Sequence, residues 1–196
     1  MTAAPRRRDA ATTRKAILAS ARKAFARAGY DGVGVREIAA GAGVTAMLVN
    51  RYFGSKEKLF AEVAADTMGD AVILSPENLK APNFAAALAK SLVEVTTPGA
   101  TPLDGFLIML HSAGSPKAAE LGRDLIGRGH QATLLSMLEG PNAAERAGVF
   151  LALVAGLQVL RQTMALPSLA EADPDDLARL LEPIIRSLVG EAPRVR

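Results

Sequence analysis

The sequence predicts an all-α protein of about nine helices, and three observations carry that prediction. Apolar residues repeat at helical spacing in one segment after another, whereas no segment sustains the apolar–polar alternation of a half-buried strand. Prolines fall between the helical segments or at their starts, where they terminate one helix or open the next. With 196 residues, 49% of them apolar, the chain is long enough to bury a core in one domain or two small ones.

The first helix is predicted over 12–28, where the apolar residues share one face. Thr12 or Thr13 would cap its start with a hydroxyl. Gly29 follows its end, where glycine readily adopts the left-handed conformation that terminates a helix. The preceding residues, 1–11, include three consecutive arginines and are predicted to form a basic N-terminal arm.

Two short helices follow, joined by a tight turn. The first, over 35–42, is broken by Gly43, and Thr45 is placed to cap the second, over 46–53. A short helix, a glycine turn and a capped second helix form the helix-turn-helix pattern, in which the second helix enters the major groove of DNA. Ser55 caps the next helix, and the remaining helices are expected at 56–74, 83–96, 103–113, 116–138, 142–165 and 174–189, with a kink at Pro183.

The charge is divided unevenly along the chain. Residues 1–60 hold 12 Lys and Arg against 4 Asp and Glu, whereas residues 61–196 hold 11 against 16. The three arginines of the arm account for less than half of the positive excess. A basic N-terminal segment followed by an acidic remainder is typical of a phosphate-binding module joined to a region with a separate function.

The composition excludes several classes of site. Without cysteine the chain forms no disulfide, thiolate zinc site or iron–sulfur cluster. Two histidines, His111 and His130, are too few for a multi-histidine metal site, and neither lies beside a nucleophile signature. The spacing Gly41-x-Gly43-x-x-Ala46 matches a dinucleotide fingerprint but follows a helical pattern instead of a strand. We therefore expect no enzyme, no cofactor and no metal.

No membrane partner is expected either. The longest uncharged run lies between Arg146 and Arg161 and has 14 residues, fewer than the roughly 20 that span a bilayer. The arginines near the N-terminus are not followed by the apolar stretch of a secretory signal. The sequence thus predicts a soluble, cytoplasmic protein.

Residues 12–60, and above all IAAGAGVTAMLVNRYFGSKEKLF at 38–60, resemble the DNA-binding domain of the tetracycline-repressor (TetR) family of bacterial regulators. The resemblance implies a homodimeric transcriptional regulator, most often a repressor. It places a helix-turn-helix DNA-binding domain over 12–55 and a ligand-binding and dimerisation domain over 56–196. The matching motifs are Phe25-x-x-x-Gly29-Tyr30, Val35-Arg36-x-Ile38-Ala39, Ala42-Gly43-Val44-Thr45 and Tyr52-Phe53-x-Ser55-Lys56-x-x-Leu59.

The chain departs from the family pattern at two positions of the predicted DNA-binding domain. Gly34 stands where many members cap the second helix with a hydroxyl, so one phosphate contact is expected to be missing. Asn50 stands where many members have a tyrosine in the recognition helix. The departures leave the operator sequence open.

The resemblance assigns DNA contacts to the helix-turn-helix. Backbone contacts are implied for Arg36, Thr45, Tyr52 and Lys56, and base contacts for the outward residues of the third helix, Ala46, Met47, Leu48, Asn50 and Arg51. The chemistry of these side chains is consistent with base contacts. Asn50 can pair bidentately with adenine and Arg51 with guanine, and Ala46 and Met47 suit the methyl group of thymine. Alternatively, Arg51 contacts only phosphate or solvent, and Met47 and Leu48 pack inward. Val49 and Phe53 are assigned to the core.

The segment 142–165 is apolar nearly all round, so we expect it to be covered on two sides, by its own bundle and by a dimer partner. The alternative is complete burial within one subunit. The predicted dimer surface is a stripe of small residues with part of the last helix: Gly148, Ala152, Ala155, Gly156 and Val159, with Leu181, Ile184 and Ile185.

The resemblance also implies a small-molecule effector that shifts the dimer between DNA-competent and incompetent states. Apolar and singly polar side chains suit an apolar molecule, and most would serve equally well as core. The candidates are Phe106, Met109, His111, Phe150 and Gln158.

The expected partners are therefore double-stranded DNA carrying an inverted-repeat operator, an unidentified effector and a second copy of the chain. Two alternatives remain: an architectural DNA-binding protein without an effector, and a helical enzyme.

Overall fold

A computed structural model describes residues 4–68, 72–99 and 103–190, and every described regular element is helical. These residues form eleven helices if a helix that continues through a π-helical turn counts as one. The all-α prediction is confirmed. The two helices beyond the expected nine have four residues each, too short for a periodicity to show.

The helix bounds differ from the predicted ones at several ends. The first helix starts at Ala4, so Thr12 and Thr13 lie inside it, and residues 4–11 are helical instead of a separate arm. The remaining residues of the predicted arm, 1–3, lie outside the described part of the chain. The fourth helix ends at Met68, six residues before the predicted end.

The described helices and their bounds are α1 (Ala4–Ala28), α2 (Val35–Gly41), α3 (Ala46–Phe53), α4 (Lys56–Met68), α5 (Pro76–Leu79), α6 (Phe84–Val95), α7 (Asp104–Ser112), α8 (Pro116–Ile126), α9 (Ala132–Leu135), α10 (Ala143–Leu157), α11 (Pro167–Ala170) and α12 (Pro174–Val189). A 3-10 turn, Val72–Leu74, precedes α5, and π-helical turns, Gly127–Gln131 and Gln158–Thr163, continue α8 and α10.

The chain divides into two compact units. The first unit contains α1 to α4 together with α7 and α8 up to Leu125, and the second contains the remaining elements. The division is discontinuous in sequence, because 103–125 packs with the N-terminal helices after the chain has contributed α5 and α6 to the second unit. The predicted segment 56–196 thus supplies helices to both units.

In the first unit, α1 is the central element, because α2, α4 and α7 all pack against it. Phe25 and Phe60 pack edge to face in the core, with ring centroids 5.1 Å apart. Gly29, at φ +66°, ends α1 as predicted. It approaches α7 so closely that a Cβ added to Gly29 would lie 2.6 Å from the carbonyl carbon of His111.

In the second unit, α6 and α12 pack along one another. Residues four apart on α12, Leu177, Leu181 and Ile185, are buried in a core that also holds Leu88 and Leu92 of α6. Because one stripe of α12 is used in this way, the residues beside it remain outside the core.

A buried arginine joins three elements of the second unit. Arg161, 1% exposed, donates to the carbonyl oxygen of Val93 (2.5 Å) and the hydroxyl of Thr96 (3.1 Å) at the end of α6. Its Nε donates to the carbonyl oxygen of Leu169 in α11 (3.0 Å). Burial lowers the pKa of this guanidinium. A cation at a helix C-terminus is favoured by the helix dipole, so Arg161 fixes the end of α6.

Candidate nucleic-acid interface

The turn between α2 and α3 has the predicted helix-turn-helix form. Gly43 adopts φ +67°, and the backbone N–H of Val44 donates to the carbonyl oxygen of Ala39 at 2.9 Å, which closes the turn. Thr45 then caps α3, its hydroxyl accepting from the N–H of Leu48 at 3.3 Å. The local signals in the sequence therefore place the start of α3 correctly.

The two faces of α3 are clearly separated. Val49 and Phe53 are 2% and 6% exposed and belong to the core, as predicted. Met47 is 80% exposed, and Asn50 and Arg51 are exposed beside it. Residues three and four positions apart lie on one side of a helix, so these three side chains form a single outward face.

The other predicted DNA contacts lie around this face. Ala46 and Leu48 are half-buried, as is Tyr52 at the end of α3, whereas Thr45 and Arg36 are exposed. Gly34 precedes α2 in an extended conformation and provides no side-chain cap.

An arginine of α1 that no sequence pattern indicates contacts α3 on the side that faces the core. Arg14 of α1 donates to both carboxylate oxygens of Glu62 in α4, at 2.5 and 2.7 Å. Its guanidinium carbon also lies 4.9 Å from the centroid of the Phe53 ring, within the range of a cation–π interaction. Arg14 thus links α1, α3 and α4. Its partner is 48 residues away, and no sequence pattern indicates such a distant pair.

Lys56, the first residue of α4, has a defined position. Its Nζ lies 4.3 Å from the centroid of the Tyr30 ring. Burial, followed by a hydrogen bond to the Glu57 carboxylate, raises the pKa of Tyr30 to about 12. Hydrogen bonding from Ser55 is the largest cause of the lowered pKa of Glu57.

The predicted effector residues do not come together in one unit. Phe106, Met109 and His111 lie on α7 in the first unit, whereas Phe150 and Gln158 lie in the second. His111 is exposed, and its Nδ1 donates to the carbonyl oxygen of Ala26 at 2.7 Å.

Two of the predicted effector residues, Met109 and Phe150, pack against or within the hydrophobic cores. Met109 packs against the first core and fills the space beside Gly122. Phe150 is 1% exposed in the second core. Phe106 and Gln158 are half-buried.

The residues of the predicted dimer surface differ in their exposure within one chain. Leu181 and Ile185 are 6% and 0% exposed and face the core of their own unit, because their stripe packs on α6. Ile184, the third predicted residue of α12, is 49% exposed, and Leu180 is an exposed large apolar residue of the same helix at 69%. On α10 and its π-helical extension, Gly148 and Ala152 are exposed, and Ala155, Gly156 and Val159 are half-buried.

The helix Ala143–Thr163 is long and apolar enough to cross a membrane by length and composition alone, and 17% of its most apolar window is buried. The core helix of a soluble protein passes the same composition test but is mostly buried. Few residues of this helix are fully buried within one chain.

Two family models match the sequence. The model of the bacterial regulatory proteins of the tetR family matches residues 17–63, and the model of the tetracyclin repressor-like C-terminal domain matches 83–189, more than half of the chain. A comparison with curated proteins gave no significant match.

Solved structures share the fold over nearly the whole chain. A transcriptional regulator from Rhodococcus sp. Rha1 is 26% identical, with 93% of this chain and 98% of that chain covered and a TM-score of 0.59. NalD, the secondary repressor of the MexAB-OprM multidrug efflux pump in Pseudomonas aeruginosa, is 25% identical, with 91% and 97% covered and a TM-score of 0.61. A TetR-family regulator from Streptomyces coelicolor A3 is 24% identical, with 91% and 95% covered and a TM-score of 0.58.

Proposed function

The chain belongs to the TetR family of bacterial regulatory proteins and is a DNA-binding transcriptional regulator. From that premise we propose that it is a dimeric cytoplasmic repressor that reads an inverted-repeat operator with one copy of α3 in each half-site. The observation that carries this proposal is the outward face of α3, where Met47, Asn50 and Arg51 lie exposed directly after a capped helix N-terminus.

Each exposed group of the outward face has a DNA partner of suitable chemistry. The Asn50 amide matches the edge of adenine, and the Arg51 guanidinium matches guanine, each contributing about 1–3 kcal/mol of discrimination. Met47 and the smaller Ala46 offer apolar contacts to thymine methyl groups. Base contacts specify the sequence, so these residues would determine the operator.

Four further residues are assigned to the phosphate backbone: Arg36, Thr45, Tyr52 and Lys56. A phosphate suits the N-terminus of α3, where free backbone N–H groups and the helix dipole attract anions, and Thr45 adds a hydroxyl there. Phosphate contacts fix the register of the protein on the duplex without selecting a sequence.

The proposed dimer surface consists of the exposed small residues of α10 with Leu180 and Ile184 of α12. Small residues let two helices approach closely, and the large outward side chains would be removed from water on association. A dimer with two-fold symmetry presents two copies of α3 to half-sites about one helical turn apart, which is why an inverted repeat is expected.

We propose in addition that a small apolar effector releases the DNA by binding one dimer state more tightly than the other. The match of 83–189 to the C-terminal domain of the family supports this assignment. His111 and Gln158 are the first two positions to substitute, because they are the polar members of the candidate set.

The test is selection of bound duplexes from a random pool at two salt concentrations. We expect a palindromic consensus, and Arg51→Ala should relax the preference at one position of each half-site. The matched control, Lys56→Met, should weaken binding to all sequences about equally and lower the slope of log K against log salt by roughly one per subunit. Steeply salt-dependent binding without a consensus would instead favour an architectural protein that contacts only phosphates.

A further inference from the structure

The ammonium group of Lys56 lies on an aromatic ring. Lys56 is the first residue of α4, where the positive end of the helix dipole disfavours a cation. A free lysine at this position would extend away into solvent with its full rotamer freedom. Its Nζ is instead 4.3 Å from the centroid of the Tyr30 ring, within cation–π range.

The position of the Tyr30 ring is fixed by its packing. The side chain is 6% exposed, and its ring packs edge to face on Phe60, with centroids 5.1 Å apart. Its backbone N–H donates to the Ser112 hydroxyl of α7 at 2.9 Å. Because the ring is fixed, the ammonium group that contacts it is restricted to one position.

We propose that Tyr30 is a positioning residue for DNA binding. Its ring holds the Lys56 ammonium group beside the N-terminus of α4, ready for a phosphate, so less rotamer entropy is lost when the contact forms. Tyr30 itself touches no DNA and acts only through Lys56. The inference rests on the proposed phosphate contact of Lys56 and adds the residue that prepares it.

A double-mutant cycle tests the proposal in the full-length chain. The variants are Tyr30→Leu, Lys56→Met and the combination of both, with Tyr30→Phe as the matched control that retains the ring and loses the hydroxyl. The dissociation constant for a fluorescein-labelled mixed-sequence duplex is measured over a range of salt, because phosphate contacts do not depend on sequence.

We expect Lys56→Met to weaken binding and to lower the slope of log K against log salt by about 0.9 per subunit. Tyr30→Leu should weaken binding about threefold, as expected for loss of one cation–π contact, and should have no further effect when Lys56→Met is present. Tyr30→Phe should bind like the unmodified chain. A loss of packing alone would instead lower affinity equally with and without Lys56.

Two contrary outcomes are distinguishable. If Lys56→Met leaves affinity and salt slope unchanged, the phosphate contact is rejected, and the positioning role with it. If Lys56→Met weakens binding but Tyr30→Leu acts equally in both backgrounds, or tightens binding, only the positioning role is rejected.

A second measurement does not depend on the stability of Tyr30→Leu. The ring should shift the Lys56 side-chain methylene protons upfield in the NMR spectra of the unmodified chain and of Tyr30→Phe. Their appearance at ordinary lysine positions in both proteins would overturn the proposal.

Discussion

The close approach of α1 to α7 makes Gly29→Ala a sharp test of how the first unit is held together. Gly29 has φ +66°, a conformation that costs a residue with a Cβ about 1–2 kcal/mol. The added Cβ would also lie 2.6 Å from the carbonyl carbon of His111 and 3.1 Å from the amide nitrogen of Ser112. Both neighbours are backbone atoms of α7, so neither can rotate away.

The collision adds about 1–3 kcal/mol, the usual cost of forcing extra volume into a packed site. The expected loss in the free energy of unfolding is therefore about 2–5 kcal/mol. Gly43→Ala is the matched control, because Gly43 has φ +67° and nothing lies within 4 Å of an added Cβ. Gly43→Ala should lower the free energy of unfolding only by the cost of the left-handed backbone conformation, about 1–2 kcal/mol.

The assay is urea unfolding followed by far-ultraviolet circular dichroism, with the protein concentration held fixed because the proposed dimer would contribute to apparent stability. The difference between the two variants isolates the contact of α1 with α7. Equal losses for Gly29→Ala and Gly43→Ala would refute the tight approach of these two helices.

Three further results are expected. Ala152→Glu, on the exposed face of α10, should convert a dimer into a monomer in sedimentation velocity, and persistence of the dimer would show that this face is the wrong surface. Arg161→Met should lower the free energy of unfolding by about 1–3 kcal/mol, because it removes the charged hydrogen bonds of a buried guanidinium to the carbonyl oxygens of Val93 and Leu169. The exposed control, Arg186→Met, loses one surface ion pair to Glu182 and should cost less than about 1 kcal/mol, so equal losses would contradict the structural role of Arg161. The pKa of Tyr30 is raised from 10.0 to about 12 in the folded chain, so its stabilising effect should be complete below pH 10 and disappear between pH 10 and 12. Urea unfolding over this range should show the unmodified chain losing stability relative to Tyr30→Phe, and parallel curves would argue against that shift.

Local chemistry determined the helix-turn-helix and most of the helices. The cap at Thr45, the left-handed turn at Gly43 and the helical spacing around Val49 and Phe53 all act within a few residues, so the sequence predicts them without knowledge of the fold. The identity of the outward side chains of α3 follows from the same spacing. The start of α1 was missed because helix can continue past a good cap residue when the preceding residues also favour helix.

Tertiary packing decided the features that depend on distant residues. The apolar residues of α12 are evident in the sequence, but contact with α6 selects Leu181 and Ile185 for the core and leaves Leu180 and Ile184 outside. Ser112 meets Tyr30 across 82 residues of sequence, and α7 thereby joins the first unit. A periodic pattern identifies which residues share a helix face, whereas the neighbour that covers the face is known only when the chain is folded.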